Sequence, residues 1–363
     1  MLSTVAFIFV LGVLILAHEF GHFLIAKMLK VKVEIFSVGF GKKLWGIKRG
    51  DTDYRICLVP LGGFIKLAGD NPEEKRSGQV WEFLSRPVGE RAAIVAAGPL
   101  FNCLLAFFIF SLVFFVGFAS LTSTVGNLKE GFPAVAAGIQ TGDRIISVDG
   151  QKVSFWEELS AIIHTKTDNK AVDLSIERDG RIISLKVVPK VVQEKNIFNE
   201  EVTIGLIGIG PAQETEIVRY GLLKSIAMGA KRTVTIAHLT MKVFIQIITG
   251  RLSARNAIGG PVKIFKITGE AAKLGFVYLL QLMAVLSVNL AIINLFPVPV
   301  LDGGHLLFLA LEKVRGKPIS VRVQEIALRF GVSLLVTLMI FLFYNDLMQQ
   351  GVFEKVSRFF LKK

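Results

Sequence analysis

Leu14-Ile15-Leu16-Ala17-His18-Glu19-Phe20-Gly21-His22-Phe23-Leu24-Ile25 sets a His-Glu-x-x-His pattern inside an apolar run. Two imidazoles four residues apart share one helical face and reach a single zinc ion. Glu19 lies beside that face, where a carboxylate can take a proton from a water that the metal acidifies. From Val5 to Ala26 the only ionisable residues are His18, Glu19 and His22. Such groups are costly at membrane depth and mark function there. The same pentapeptide also arises by chance, or in core helices with two hydrogen-bonded histidines, so the reading requires a third ligand from elsewhere in the chain.

Composition sets the context. The chain has 363 residues, 52% of them hydrophobic, with a mean hydropathy of +0.57. That is too apolar for an ordinary soluble protein and indicates membrane helices with a sizeable soluble insert. The net charge of +13 does not indicate nucleic acid, because Lys and Arg gather beside the apolar runs, as at the cytoplasmic flanks of membrane helices. Cys57 and Cys103 make no disulfide framework. Only Met1-Leu2-Ser3-Thr4 precede the first apolar run, without the basic region of a secretory signal, so residues 3–26 read as a retained spanning helix.

Lys27, Lys30 and Lys32 follow that helix and place its end on the cytoplasmic side, with the motif toward the cytoplasmic leaflet. Residues 33–67 turn to short strands, with Gly62-Gly63 as a hairpin turn between apolar stretches. A small sheet is acceptable at membrane depth only beside protein or a water-filled cavity. Its free edge can hold an extended peptide, while an ordinary cytoplasmic hairpin is the plainer alternative. A charged cytoplasmic linker covers 69–91 and a second spanning helix 92–118. Pro99 should kink that helix, and the expected role of Asn102 is helix-to-helix packing.

Residues 120–216 form an extracytoplasmic soluble domain with short alternating strands at 144–148, 172–176 and 182–188 and helical spacing over 155–164. Asp149-Gly150 and Asp179-Gly180 mark its tight turns, and His164 reads as a surface residue. Residues 217–274 hold amphipathic helices. Lys224, Lys231, Arg232, His238 and Lys242 interrupt the apolar pattern of 217–250, which therefore lies on the membrane or against the soluble domain. A third spanning helix covers 275–305 and a fourth 330–347, the C-terminal membrane region running to 363 with two terminal lysines.

A candidate third ligand stands in the run Asn294-Leu295-Phe296-Pro297-Val298-Pro299-Val300-Leu301-Asp302-Gly303. Asp302 is the only acidic residue between Phe276 and Leu311, and Pro297 and Pro299 should open the backbone just before it. With four spanning helices, the first and third run the same way. His18, His22 and Asp302 then fall at similar depth. His305 competes as the third ligand but lies one turn further toward the cytoplasm. Two imidazoles and a carboxylate leave a fourth tetrahedral position for water, the pattern of catalytic zinc.

Taken together, His18-Glu19-Phe20-Gly21-His22, Gly98-Pro99-Leu100-Phe101-Asn102 and the Asn294–Gly303 run resemble the site-2 protease family of intramembrane zinc metalloproteases, most closely the bacterial sigma-E protease type. Gly131–Gly150 resembles the PDZ domains of bacterial envelope proteases. The resemblance implies a polytopic α-helical membrane protein of four transmembrane helices, with a membrane-embedded β-hairpin element and an inserted PDZ-like domain. It implies zinc ligation by His18, His22 and Asp302, with Glu19 as catalytic base. Substrate contacts are implied for Asn294 and for the β element, including Gly62, Gly63 and Phe64.

Implied partners are membrane lipid and single-span membrane proteins, such as trimmed anti-sigma factors or remnant signal peptides, in the bacterial inner membrane. The PDZ-like domain is implied to bind peptide or gate substrate entry. The best-known member carries two such domains in tandem, and this chain has room for one. Two other classes compete: a silent membrane scaffold binding peptides through the insert, and a zinc transporter. Intact His18, Glu19, His22 and Asp302 disfavour the first. The glutamate at catalytic spacing and the lack of a second metal cluster in the sequence disfavour the second.

Overall fold

A computed structural model of the chain describes residues 1–71, 77–196, 200–257 and 259–349. Part of the charged linker, 72–76, and the tail from 350 to 363 with its two lysines lie outside the described residues. The chain divides into two compact units. One comprises Met1–Val113, Leu222–Ile247 and the chain from Ser253 onward, the other Phe114–Gly221 with Ile248–Leu252.

Helix α1 (Leu2–Met28) opens the first unit, followed by strands β1 (Val33–Arg49) and β2 (Thr52–Leu67) and helix α2 (Val88–Val116). The β1–β2 turn is at Gly50-Asp51, not at Gly62-Gly63 as the sequence suggested: Arg49 faces Thr52. Gly50 has φ +58°, and a glycine leading a two-residue turn matches the twist of the flanking strands. Gly62 and Gly63 lie within β2, and their lack of a side chain serves close approach. A Cβ on Gly62 would overlap the Phe40 ring, and one on Gly63 would come within 2.9 Å of the Ser37 carbonyl oxygen.

Glycines at 39 and 41, with φ +92° and +85°, bend β1, so its first half pairs twice. Val33 faces Leu67 and Val38 faces Gly63 on one edge, while Ile35 faces Asp53 and Val38 faces Ile56 on the other. Gly63–Leu67 is thereby left as an outer strand, its far edge turned away from β1.

The second unit is β-rich. Strands β3 (Phe118–Leu121) and β4 (Val125–Leu128) lead to a short helix, α3 (Pro133–Ala136), then to β5 (Arg144–Val148) and β6 (Gln151–Lys152). Helix α4 (Trp156–His164) precedes β7 (Val172–Arg178), β8 (Arg181–Val187), β9 (Lys190–Lys195), β10 (Glu201–Leu206), β11 (Ile209–Pro211) and β12 (Thr215–Val218). Four strands form one sheet in the order β6-β5-β7-β8. Asp149-Gly150 and Asp179-Gly180 have positive φ at both positions, the two-residue turn that only such dipeptides adopt readily. Val125, Ile145, Leu159, Leu174 and Ile176 are fully enclosed. Phe118 pairs with Val218, so the two ends of this unit lie side by side.

The remaining helices are α5 (Leu222–Ile248), α6 (Ala254–Ala257), α7 (Pro261–Leu274), α8 (Phe276–Asn294), α9 (Asp302–Arg315) and α10 (Val321–Gln349). The described residues hold four helices long and apolar enough to cross a membrane: α1, α2, α8 and α10. α5 is not among them. Its enclosed face is small and polar, with Gly229 against Ser111 of α2 and Thr240 donating to Asn289 of α8 at 2.7 Å. The region expected as one helix over 275–305 is two. α8 ends at Asn294, a non-helical segment carries both prolines, and α9 restarts at Asp302 and continues to Arg315. α10 starts at Val321, before the expected 330, because Arg322, Glu325 and Arg329 occupy its opening turns. Its far end caps α7: Asp346 accepts from the Gly260 and Lys263 amides at 3.1 and 2.9 Å.

Candidate metal centre

The apolar residues of α1 make a helix that needs no water along its length. On it, His18 and His22 point the same way, one turn apart. Their Nε2 atoms are 3.3 Å apart. Asp302 reaches the same spot because the segment before it folds back tightly. A Cβ on Gly303 would meet the Phe296 carbonyl oxygen at 2.2 Å, and one on Gly304 the Val298 oxygen at 2.3 Å. Only glycine tolerates that fold. Asp302 stands in the first turn of α9, where the positive end of the helix dipole favours a carboxylate.

Asp302 Oδ2 lies 3.1 Å from His18 Nε2 and 3.6 Å from His22 Nε2, and the three ligand atoms are all within 4.8 Å of one another. Those separations suggest an ion pair, yet Oδ2 is buried and accepts no aligned hydrogen bond. The carboxylate oxygen and the two Nε2 atoms converge on one point, as the ligands of a shared cation do. The donor set, two nitrogens and one oxygen, suits zinc with a position left open. Among the described residues this is the one such cluster.

The outer nitrogens of the imidazoles are held by α2. His22 Nδ1 is 2.8 Å from the Ile94 carbonyl oxygen. A carbonyl only accepts, so Nδ1 carries the proton and Nε2 keeps its lone pair. His18 Nδ1 is 3.3 Å from the side-chain amide of Asn102, which is fully enclosed. Asn102 therefore faces the metal centre, which an assignment to helix packing alone had missed. The close approach depends on Gly21, where a Cβ would be 2.4 Å from the Ala97 oxygen, and on Gly98, where it would be 2.2 Å from His22 Nε2. A further tie runs from α2 to α9: Arg91, itself enclosed, donates both of its terminal nitrogens to Glu312 at 2.6 and 3.1 Å. Neither Ile94 nor Glu312 could be singled out in the sequence, because a main-chain acceptor has no residue signature and Glu312 resembles any helix-end charge.

A cavity of about 330 Å³ opens beside these groups, lined by His18, Glu19, His22, Phe64, Ile65, Asn294 and Asp302 among others. Glu19 and Ile65 line the same wall of this cavity, and Asn294 Nδ2 is 3.4 Å from His18 Nε2. Neither glycine expected to touch substrate lines the cavity: Gly63 packs against Glu19 and Ile15, and Gly62 against Phe40. Phe64 does line it, and its ring stacks on Phe40 with centroids 6.2 Å apart. His305 is exposed and outside the three-ligand cluster. A larger concavity of about 790 Å³, at Phe132, Val135 and Val188 of the β-rich unit, holds no metal-ligating side chain.

A polytopic protein whose helices bring two imidazoles and a carboxylate together next to a glutamate falls in the class of membrane metalloproteases. The sequence profile described as Peptidase family M50 matches residues 6–338, and the chain belongs to that family. It is 36% identical over 361 residues to a protein of Brucella suis biovar 1 that carries a zinc metalloprotease name, covering 95% of each chain. It is 34% identical to the regulator of sigma-E protease RseP of Escherichia coli K12, covering 94% of this chain and 97% of that one. That second alignment is 449 positions long, so the E. coli relative contains residues this chain lacks. Among solved structures, a PDZ domain of an SdrC-like protein from Listeria monocytogenes matches at 23% identity. The match covers 24% of this chain and 84% of that one, with a TM-score of 0.20. Zinc is the metal of this enzyme.

Proposed function

We propose that the protein hydrolyses peptide bonds inside the membrane, within the transmembrane segments of single-span proteins. His18, His22 and Asp302 hold zinc, which when bound supplies a Lewis acid for the scissile carbonyl and acidifies water. Glu19 takes the proton from the attacking water and delivers it to the leaving amine. A transmembrane helix hides its carbonyls in its own hydrogen bonds, so the substrate must first unwind. The outer strand Gly63–Leu67, with Phe64 and Ile65 in the cavity wall, offers main-chain partners that offset the bonds lost, and Asn294 holds the strand near His18.

Fitting substrates are anti-sigma factors already trimmed outside the membrane, or remnant signal peptides. The protein would sit in the bacterial inner membrane, with its metal centre toward the cytoplasmic leaflet as the lysines after α1 suggest. Residues 120–216 would face the other side and screen or bind what approaches.

The observation that carries this reading is the buried, unbonded Asp302 Oδ2 facing two Nε2 atoms. Protein purified in detergent is expected to hold zinc stoichiometrically and to cut a model transmembrane substrate. Glu19→Gln should keep the zinc and lose cleavage by about 10²–10⁴-fold, the usual worth of a general base. Undiminished cleavage by that variant, or zinc-free active wild type, defeats the proposal.

A further inference from the structure

The two imidazoles are treated differently by the helix behind them. Ile94, Gly98 and Asn102 stand four residues apart on α2 and so share one face. The first offers a main-chain oxygen to His22, the second removes a side chain that would strike both rings, and the third presents an amide to His18. Asn102 is fully enclosed, and its main-chain oxygen is pinned to α8 by the Ser287 hydroxyl at 2.7 Å. Its Oδ1 has no partner among the described residues.

We infer that Asn102 is a positioning residue for His18: its Oδ1 accepts the Nδ1 proton and leaves the Nε2 lone pair aimed at the cation. This rests on the reading of His18 as a zinc ligand. A half-turn of the amide exchanges its two ends without moving anything else. Oδ1 then lies about 3.3 Å from Nδ1, where the amide nitrogen now stands. The exchange gives that oxygen a donor, which it lacks as placed. Histidine ligands are held in this way by an acceptor on the outer nitrogen, which fixes the tautomer and ring plane. Packing alone does not account for the residue, because leucine would fill the same volume without burying an unpaired amide among apolar helices.

Zinc affinity of the full-length protein in detergent, measured by competition with a chromophoric chelator, tests the inference. Asn102→Leu should bind zinc about 10–100-fold more weakly, the usual effect of losing such a partner. Asn102→Asp, which keeps an acceptor, should stay within about threefold of wild type, because the carboxylate–histidine–zinc arrangement is equally effective. A purely structural role would weaken both variants in step with their thermal stability. Should Asn102→Leu not fold, ¹⁵N shifts of His18 in the zinc-loaded wild type, assigned by difference against His18→Ala, give the answer alone: Nδ1 is expected to be protonated. Wild-type affinity in Asn102→Leu, equal weakening in Asn102→Asp, or an unprotonated Nδ1 overturns the inference. Wild-type zinc affinity in His18→Ala instead overturns the assignment on which it rests.

Discussion

Gly98→Ala is the smallest change that tests how the metal centre is assembled. A methyl group there would sit 2.2 Å from His22 Nε2 and 2.8 Å from His18 Cε1. Ordinary contact begins near 3.5 Å, so ring and helix must separate by roughly 1.3 Å. Zinc–nitrogen bonds are about 2.0–2.1 Å long and tolerate errors of about 0.2 Å, so the required shift is several times what ligation allows. The fold is affected far less. Overpacking costs about 1–3 kcal/mol, and replacing glycine by alanine within a helix returns about 1 kcal/mol. The variant should therefore fold, with a thermal transition within a few degrees of wild type once both are stripped of metal, yet bind zinc at least about 100-fold more weakly. Gly12→Ala on α1, where a Cβ meets nothing within 4 Å, is the control and should keep full affinity. The reasoning is refuted if Gly98→Ala retains zinc as tightly as Gly12→Ala, or if it loses zinc only because it unfolds.

Gly63→Ala should separate binding from catalysis, because its Cβ would press on the Ser37 carbonyl oxygen at 2.9 Å and on Glu19 Cγ at 3.1 Å without touching a ligand. Zinc content should be unchanged and kcat/KM should fall about 10–100-fold; parallel loss of zinc would contradict the arrangement. Asp302→Ala should abolish tight zinc binding while His305→Ala leaves it intact, a contrast that chelator competition reads directly and that reverses if the histidine is the third ligand. In the β-rich unit, Asp143 is enclosed and takes two bonds from Arg178, at 2.7 and 2.8 Å, plus the Gln140 amide at 2.7 Å. Burial alone would raise its carboxyl, but those bonds prevail and hold it below the ordinary range. A carboxylate with a folded value below its unfolded value of about 3.9 contributes fully above about pH 5 and progressively less as the solution is acidified. Asp143→Asn should cost this unit about 2 kcal/mol at pH 7 and flatten the acid limb of its unfolding, as followed by circular dichroism. An unchanged acid limb would count against the pairing.

What the sequence disclosed, and what it hid, follows from the kinds of interaction involved. Ionisable residues in apolar surroundings stand out because their desolvation cost has to be met, which is why His18, Glu19, His22 and Asp302 could be named before any coordinates. Proline and glycine chemistry likewise exposed the break before Asp302 and the Asp-Gly turns of the insert. Gly62-Gly63 misled because two glycines fit either a turn or a close approach, and the Phe40 ring that decides between them lies over twenty residues away in the chain. Asn102 was noticed, but its neighbour His18 is supplied by another helix. A polar residue in a spanning segment looks the same whether it glues two helices or orients a ligand. The main-chain acceptor at Ile94 left no trace at all, since every residue carries one.

That last contact has an evolutionary corollary. His22 is steered by a carbonyl that no substitution can delete, whereas the partner of His18 is a side chain open to mutation. Drift or engineering that retunes the enzyme toward cobalt or cadmium should therefore accumulate around position 102 and leave position 94 free to vary among apolar residues.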